Sequence, residues 1–149
     1  MEQFNIRVLK RNPIKFEGET RQPGKITIGN FNERFWMALS YWNLQEYKKQ
    51  WEEGIQRLKT HDSSCLVVKI RKIDTEVVVS AWVLYKQGDT IIFQYHFLPD
   101  EEMAVHLPPF DTKTWYMHIR PRSNELEEWK MPAKDFFASW HEHHFLKKK

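Results

Sequence analysis

Between residues 44 and 58 apolar side chains recur three and four positions apart: Leu44, Tyr47, Trp51, Ile55 and Leu58. Glu46, Lys48, Lys49, Glu52, Glu53, Gln56 and Arg57 fill the positions between them. This spacing predicts one amphipathic helix over about 44–59, lying on a sheet with its apolar stripe inward. Its start is written in the sequence. Asn43 suits the N-cap, Glu46 three residues later completes a capping box, and Trp42 and Tyr47 stand at the two positions of a hydrophobic staple. Gly54 breaks the pattern, since glycine inside a helix costs roughly 1 kcal/mol relative to alanine. A close approach by a neighbouring strand would explain it.

Elsewhere the period is nearer two. Phe4, Ile6 and Val8 predict a first, edge strand. Residues 10 to 25 carry Pro13, Gly18, Pro23 and Gly24 among charges and predict a loop. Residues 25 to 29 and 31 to 39 predict two short strands, or one interrupted strand. Strands are expected again at 65–71, 77–85, 90–98 and 114–120. The second and third join through the turn residues Lys86-Gln87-Gly88-Asp89. Both faces of 77–85 are apolar, which makes that strand central. From Trp129 onward the pattern predicts a C-terminal helix, about 132–144, with Pro132 near its first turn and Phe136, Phe137 and Trp140 on one face. Strands, helix, a run of strands and a helix do not alternate as a parallel α/β sheet requires. The expected fold class is α+β: a single domain spanning 1–149, with a mostly antiparallel sheet and two helices.

Composition narrows the functional classes. A chain of 149 residues with 41% hydrophobic and 15% aromatic content builds a core and is not disordered. One cysteine, Cys65, leaves no intrachain disulfide and suits a reducing cytoplasm. No apolar run approaches a membrane span, and Met1-Glu2-Gln3-Phe4-Asn5 lacks the basic and apolar regions of a signal peptide. No membrane association is expected.

Candidate chemistry is sparse. In His141-Glu142-His143-His144 the position four after His141 is Phe145, so the zinc-protease spacing fails and no third metal ligand follows. His96 and His118 fall in predicted strands, where acid–base chemistry on RNA competes with the reading of half-buried structural histidines. Cys65 leads into Leu66-Val67-Val68 and reads as a small buried apolar residue. There is no phosphate-binding glycine loop and no nucleophile elbow. Neither a cofactor, a metal nor a catalytic residue is expected.

Charge is more informative. The net charge is only +3, yet no Lys or Arg occurs between Lys86 and Lys113, where Asp89, Asp100, Glu101, Glu102 and Asp111 stand. Glu125, Glu127 and Glu128 form a second acidic group, while Arg7, Lys10, Arg11, Lys15, Arg21 and Lys25 make the N-terminal part basic. An acidic block of this kind is either an ordinary solvated loop or a surface for a basic partner. The last three of the seven tryptophans to be placed, Trp36, Trp115 and Trp129, are candidate interface anchors.

The run Tyr41-Trp42 … Tyr47 … Gln50-Trp51 … Gly54 … Arg57-Leu58, with Ser64-Cys65-Leu66 and Trp82-Val83-Leu84-Tyr85 further on, resembles bacterial immunity proteins of contact-dependent growth inhibition systems. The resemblance implies a cytoplasmic protein that binds the C-terminal toxin domain delivered by a neighbouring cell, often a nuclease, about one to one, and blocks its active site. It transfers no individual functional residue. The acidic residues Asp89, Asp100, Glu101, Glu102 and Asp111 are the candidate toxin contacts. Direct nucleic-acid binding is not expected. The alternatives are a small His-dependent nuclease or hydrolase, and a basic nucleic-acid-binding module.

Overall fold

The computed structural model describes residues 1–73, 76–98, 116 and 119–146. The N-terminal sheet contains β1 (Phe4–Val8), β2 (Ile14–Phe16), β3 (Glu19–Ile28) and β4 (Phe31–Ala38), all antiparallel. β3 is the long central strand. β4 runs along one side of it; β1 and then β2 pair with successive parts of the other.

The expectation of a loop over residues 10 to 25 is therefore wrong. β2 and the first seven residues of β3 lie there. Pro23 and Gly24 are the misleading residues, and each has a reason to be in a strand. The Pro23 carbonyl accepts from Leu9 N–H at 2.9 Å, so the Pro23 nitrogen faces the same side. That side is the break between β1 and β2, where no ladder donor is required, so the usual penalty for proline in a central strand is avoided. Gly24 pairs with Phe35. A Cβ on Gly24 would collide with the Phe35 ring, so only glycine lets that ring lie across the strand.

The second sheet has the order β5 (Ser63–Ile73), β6 (Glu76–Gln87), β7 (Thr90–Leu98) and β8 (Trp129–Pro132), again antiparallel throughout. β6 is central, as its apolar faces predict. A two-residue loop joins β6 to β7, with Gly88 at φ +57°. β8 replaces what sequence periodicity reads as the start of the last helix. Met131 is buried between exposed Lys130 and Pro132, an alternation too short to tell from a helical turn. Helix α2 (Ala133–His141) begins after Pro132, which is its N-cap, and ends in a π-helical turn, Glu142–Leu146. The strand expected at 114–120 falls mostly outside the described residues; Ile119 and Arg120 belong to no strand.

Helix α1 (Leu44–Arg57) forms as its sequence dictates. Glu46 N–H donates to Asn43 Oδ1 at 2.9 Å and Asn43 N–H to Glu46 Oε1 at 3.0 Å. The staple rings of Trp42 and Tyr47 meet edge to face, 5.3 Å apart. The two sheets join through aromatic contacts. Phe4 of β1 stacks on Phe93 of β7 at 5.7 Å and on Phe136 of α2 at 4.4 Å. Phe31 of β4 meets Trp82 of β6 at 6.0 Å and Trp129 of β8 at 4.5 Å. Tyr47, Trp51, Ile55 and Leu58 are buried in the same core, as the apolar stripe predicts.

Candidate interaction surface

An edge strand exposes a row of unpaired backbone groups, and both sheets cover one such edge with a helix. β5 is the edge of the second sheet, and α1 supplies the missing partners. Gln50 Oε1 accepts from Val67 N–H at 2.7 Å while its Nε2 donates to the Cys65 carbonyl at 2.7 Å and to Tyr116 Oη at 3.1 Å. Trp51 Nε1 donates to the Val67 carbonyl at 2.7 Å. Tyr47 Oη accepts from Ile70 N–H at 3.1 Å and donates to the Ala38 carbonyl at 2.7 Å, which ties β5 to β4 across the two sheets. Between Val67 and Lys69 the β5–β6 register shifts at a bulge. Gly54 is explained here: a Cβ on it would lie 2.5 Å from the Cys65 carbonyl oxygen. The edge of β1 is covered by α2, where Phe4 N–H donates to Ser139 Oγ at 2.9 Å.

These contacts account for Tyr47, Gln50, Trp51, Gly54 and Cys65 of the motif that carries the family resemblance. They are structural. Cys65 is buried, and burial pushes its thiol up to about 12, far from a reactive thiolate. His96 is buried with Nε2 3.3 Å from Gln94 Oε1 and 3.4 Å from Tyr85 Oη. Burial first, then the Arg120 charge, holds its pKa below the usual histidine value. His118 lies outside the described residues. His143 Nε2 is 3.0 Å from Gln3 Oε1 and His144 Nε2 is 3.2 Å from Asn5 Oδ1, so both rings serve to seat the π-helical turn on β1.

Of the acidic candidates, Asp89 is exposed at the β6–β7 turn, where its carbonyl accepts from Ala133 N–H at 2.6 Å. Asp100, Glu101, Glu102 and Asp111 lie outside the described residues, as does Trp115. In the second acidic group Glu125 and Glu127 are exposed, but Glu128 is engaged. Its carboxylate accepts from Arg122 Nε and Nη2 and, at 2.9 Å, from Gln94 Nε2. The hydrogen bond to Arg122 is the chief cause that holds its pKa below the usual carboxylate range. Gln94 also bonds Ser123 at both the backbone N–H and the carbonyl, so this network fastens residues 122–128 across β7.

A second surface emerges only from the register. On the outer face of the N-terminal sheet, Arg7, Lys25 and Arg34 are direct partners on β1, β3 and β4. The next rung pairs Pro23 with Trp36, which is 41% exposed. Beyond it Ile14 pairs with Arg21, and Phe16, 47% exposed, pairs with Glu19. Sequence reasoning flags Trp36 as a possible anchor but misses this grouping, because the loop assignment removes Ile14, Phe16 and Arg21 from the sheet. Trp129, also flagged, is half-buried against Phe31 and Trp82.

The described residues thus form a two-sheet α+β scaffold with a helix over one edge of each sheet, and its thiol and His96 are buried. Comparison with known proteins gives the family. The CdiI N-terminal domain model matches residues 37–141, and the chain belongs to that family. The chain is 33% identical over 97 residues to the immunity protein CdiI of Enterobacter cloacae subsp. cloacae, a match covering 62% of this chain and 65% of that protein. The match therefore spans just under two thirds of that relative's length. The fold is also that of a chain in the solved CdiA-CT/CdiI toxin and immunity complex from Enterobacter cloacae, with a TM-score of 0.77, 24% identity, and coverage of 93% of this chain and 97% of that one. No helix among the described residues is long and apolar enough to cross a membrane.

Proposed function

We propose that this protein is a cytoplasmic immunity protein that binds the toxin domain of a contact-dependent growth inhibition system about one to one and neutralises it by covering its active site. It acts by binding, without turnover of its own. The observation that carries this reading is membership of the CdiI N-terminal domain family, reinforced by likeness to a chain of a toxin and immunity complex. The whole of residues 1–149 acts as one immunity domain in this reading.

The block of Asp89, Asp100, Glu101, Glu102 and Asp111 is the contact expected for a basic toxin, with opposite potentials speeding association. Two measurements test the reading. Cells producing the chain should survive expression of the toxin domain encoded beside it, and lack of protection sinks the proposal. Joint replacement of Asp100, Glu101 and Glu102 by Lys should slow toxin association and weaken its salt dependence, with stability altered by less than about 0.5 kcal/mol per site. Unchanged association by that variant removes the acidic block from the interface and leaves the immunity role intact.

A further inference from the structure

We infer that the outer face of the N-terminal sheet is a docking surface for a protein partner that presents carboxylates around an apolar centre, and that this partner is the toxin domain itself, meeting this face with a region separate from the basic one expected opposite the acidic block. The inference rests on the immunity reading and adds the surface and its chemistry.

The first support is the rung of Arg7, Lys25 and Arg34. Three cations in direct register on three adjacent strands repel one another, and like charges directly opposite destabilise a sheet. None of the three forms an ion pair among the described residues. A rung that costs stability with no counter-charge among the described residues is explained by an anionic group from outside.

The second support is the neighbouring rungs. Trp36 and Phe16 are two of five large apolar side chains left exposed among the described residues, Ile14 is a third, and all three share this face. Tryptophan and arginine are the residues most enriched at the energetic centres of protein interfaces.

The third is Arg21, buried beneath that centre. Its guanidinium carbon lies 4.5 Å from the Phe16 ring centroid, and its Nε and Nη2 have no hydrogen-bond partner among the described residues. Nη2 has only a 3.5 Å ion-pair approach to Glu19, which is shared with Arg71. Positive charge is thus fixed under the apolar patch, and the nearby Lys69 ammonium is held below its usual pKa by burial and then by Arg21 and Arg71.

A nucleic acid would also supply anions, and Trp36 and Phe16 are each able to stack a base. The face still fits it poorly, because Arg7, Lys25 and Arg34 form one rung across the strands and not a groove that tracks a phosphate backbone.

The experiment measures toxin-domain binding by wild type and by Trp36→Ala, Arg34→Glu and the Lys25→Glu/Arg34→Glu pair, alongside thermal melting and titration with an oligothymidine strand and a duplex RNA. Trp36→Ala should weaken toxin affinity at least about tenfold, as an interface anchor does. Arg34→Glu should slow association by about tenfold or more and flatten its salt dependence, while its melting temperature stays level or rises because Lys25 then faces an opposite charge across the β3–β4 pair. Loss of affinity with gain of stability is a signature that a merely structural residue does not give. Normal toxin binding by all three variants overturns the inference while the immunity reading stands. So does nucleic-acid binding that these variants abolish without touching toxin binding. A wild-type protein that binds no toxin overturns the immunity reading and this inference with it.

Discussion

The β2–β3 turn shows how one side chain can be at odds with its backbone. Phe16 pairs with Glu19, so Glu17 and Gly18 form a two-residue hairpin loop, and both have positive φ, +52° and +77°. Such loops favour Asn-Gly. An ordinary L-residue in this region costs about 1–2 kcal/mol. Glu17 also makes a 3.2 Å ion pair with Arg71, but its side chain is 65% exposed, and such pairs contribute about 0–1 kcal/mol. Glu17→Asn should therefore raise the melting temperature by about 1–3 °C despite losing the pair. A fall would show that the Arg71 contact outweighs the turn. Gln50 teaches a different lesson at this scale. It lies three residues after Tyr47 and four before Gly54, on the buried face, and is 1% exposed. A polar residue in an amphipathic pattern is read as solvent-facing by default, so the sequence conceals its role as a stand-in for strand hydrogen bonds.

Among the elements, α1 tests which local rule dominates. Gly54→Ala would gain about 1 kcal/mol of helix propensity. It would also place a methyl group 2.5 Å from the Cys65 carbonyl oxygen, and overpacking of this kind costs about 1–3 kcal/mol. The helix would have to lift from β5 and stretch the bonds from Gln50 and Trp51. We expect a net loss of about 1–2 kcal/mol, read from the shift of the urea midpoint at constant slope. A gain in stability would mean that the α1–β5 contact can open without cost. The legibility of the elements follows from the range of the interactions that define them. The capping box, the staple and the apolar stripe are local, so α1 could be read within two residues of its ends. β3 could not, because the gap that tolerates Pro23 and the ring that requires Gly24 belong to other strands. β8 hides for a related reason: Trp129–Pro132 is strand only because β7 is beside it.

For the molecule as a whole, charge determines both stability against pH and the surfaces offered to a partner. His96 has a folded pKa lowered by burial and by Arg120. The native state therefore binds fewer protons at this site than the unfolded state, and stability rises with pH. The contribution is complete above the unfolded value of about 6.5 and is lost as pH falls below it towards the folded value. Wild type should be less stable at pH 5.5 than at 7.5 in urea, and His96→Gln, which keeps a polar group near Tyr85 and Gln94, should narrow that difference. An equal difference in both proteins would assign the acid sensitivity elsewhere. The acidic candidates could be found in sequence because they are neighbours along the chain. The basic and apolar face could not, because Arg7, Lys25 and Arg34 become neighbours only through the register of three strands.

The two covered edges also differ in when they become safe. A ribosome delivers α1 before β5, so the side chains that seal the Cys65–Ile70 edge are already in place when that strand emerges. β1 is delivered before every other strand described, yet the hydroxyl that seals it, on Ser139, follows 135 positions later. Until then the Phe4 end of the N-terminal sheet is an open template for another chain. Of the two edges that a helix covers, β1 therefore carries the longer exposure to misassembly during synthesis, which lasts until α2 has been made.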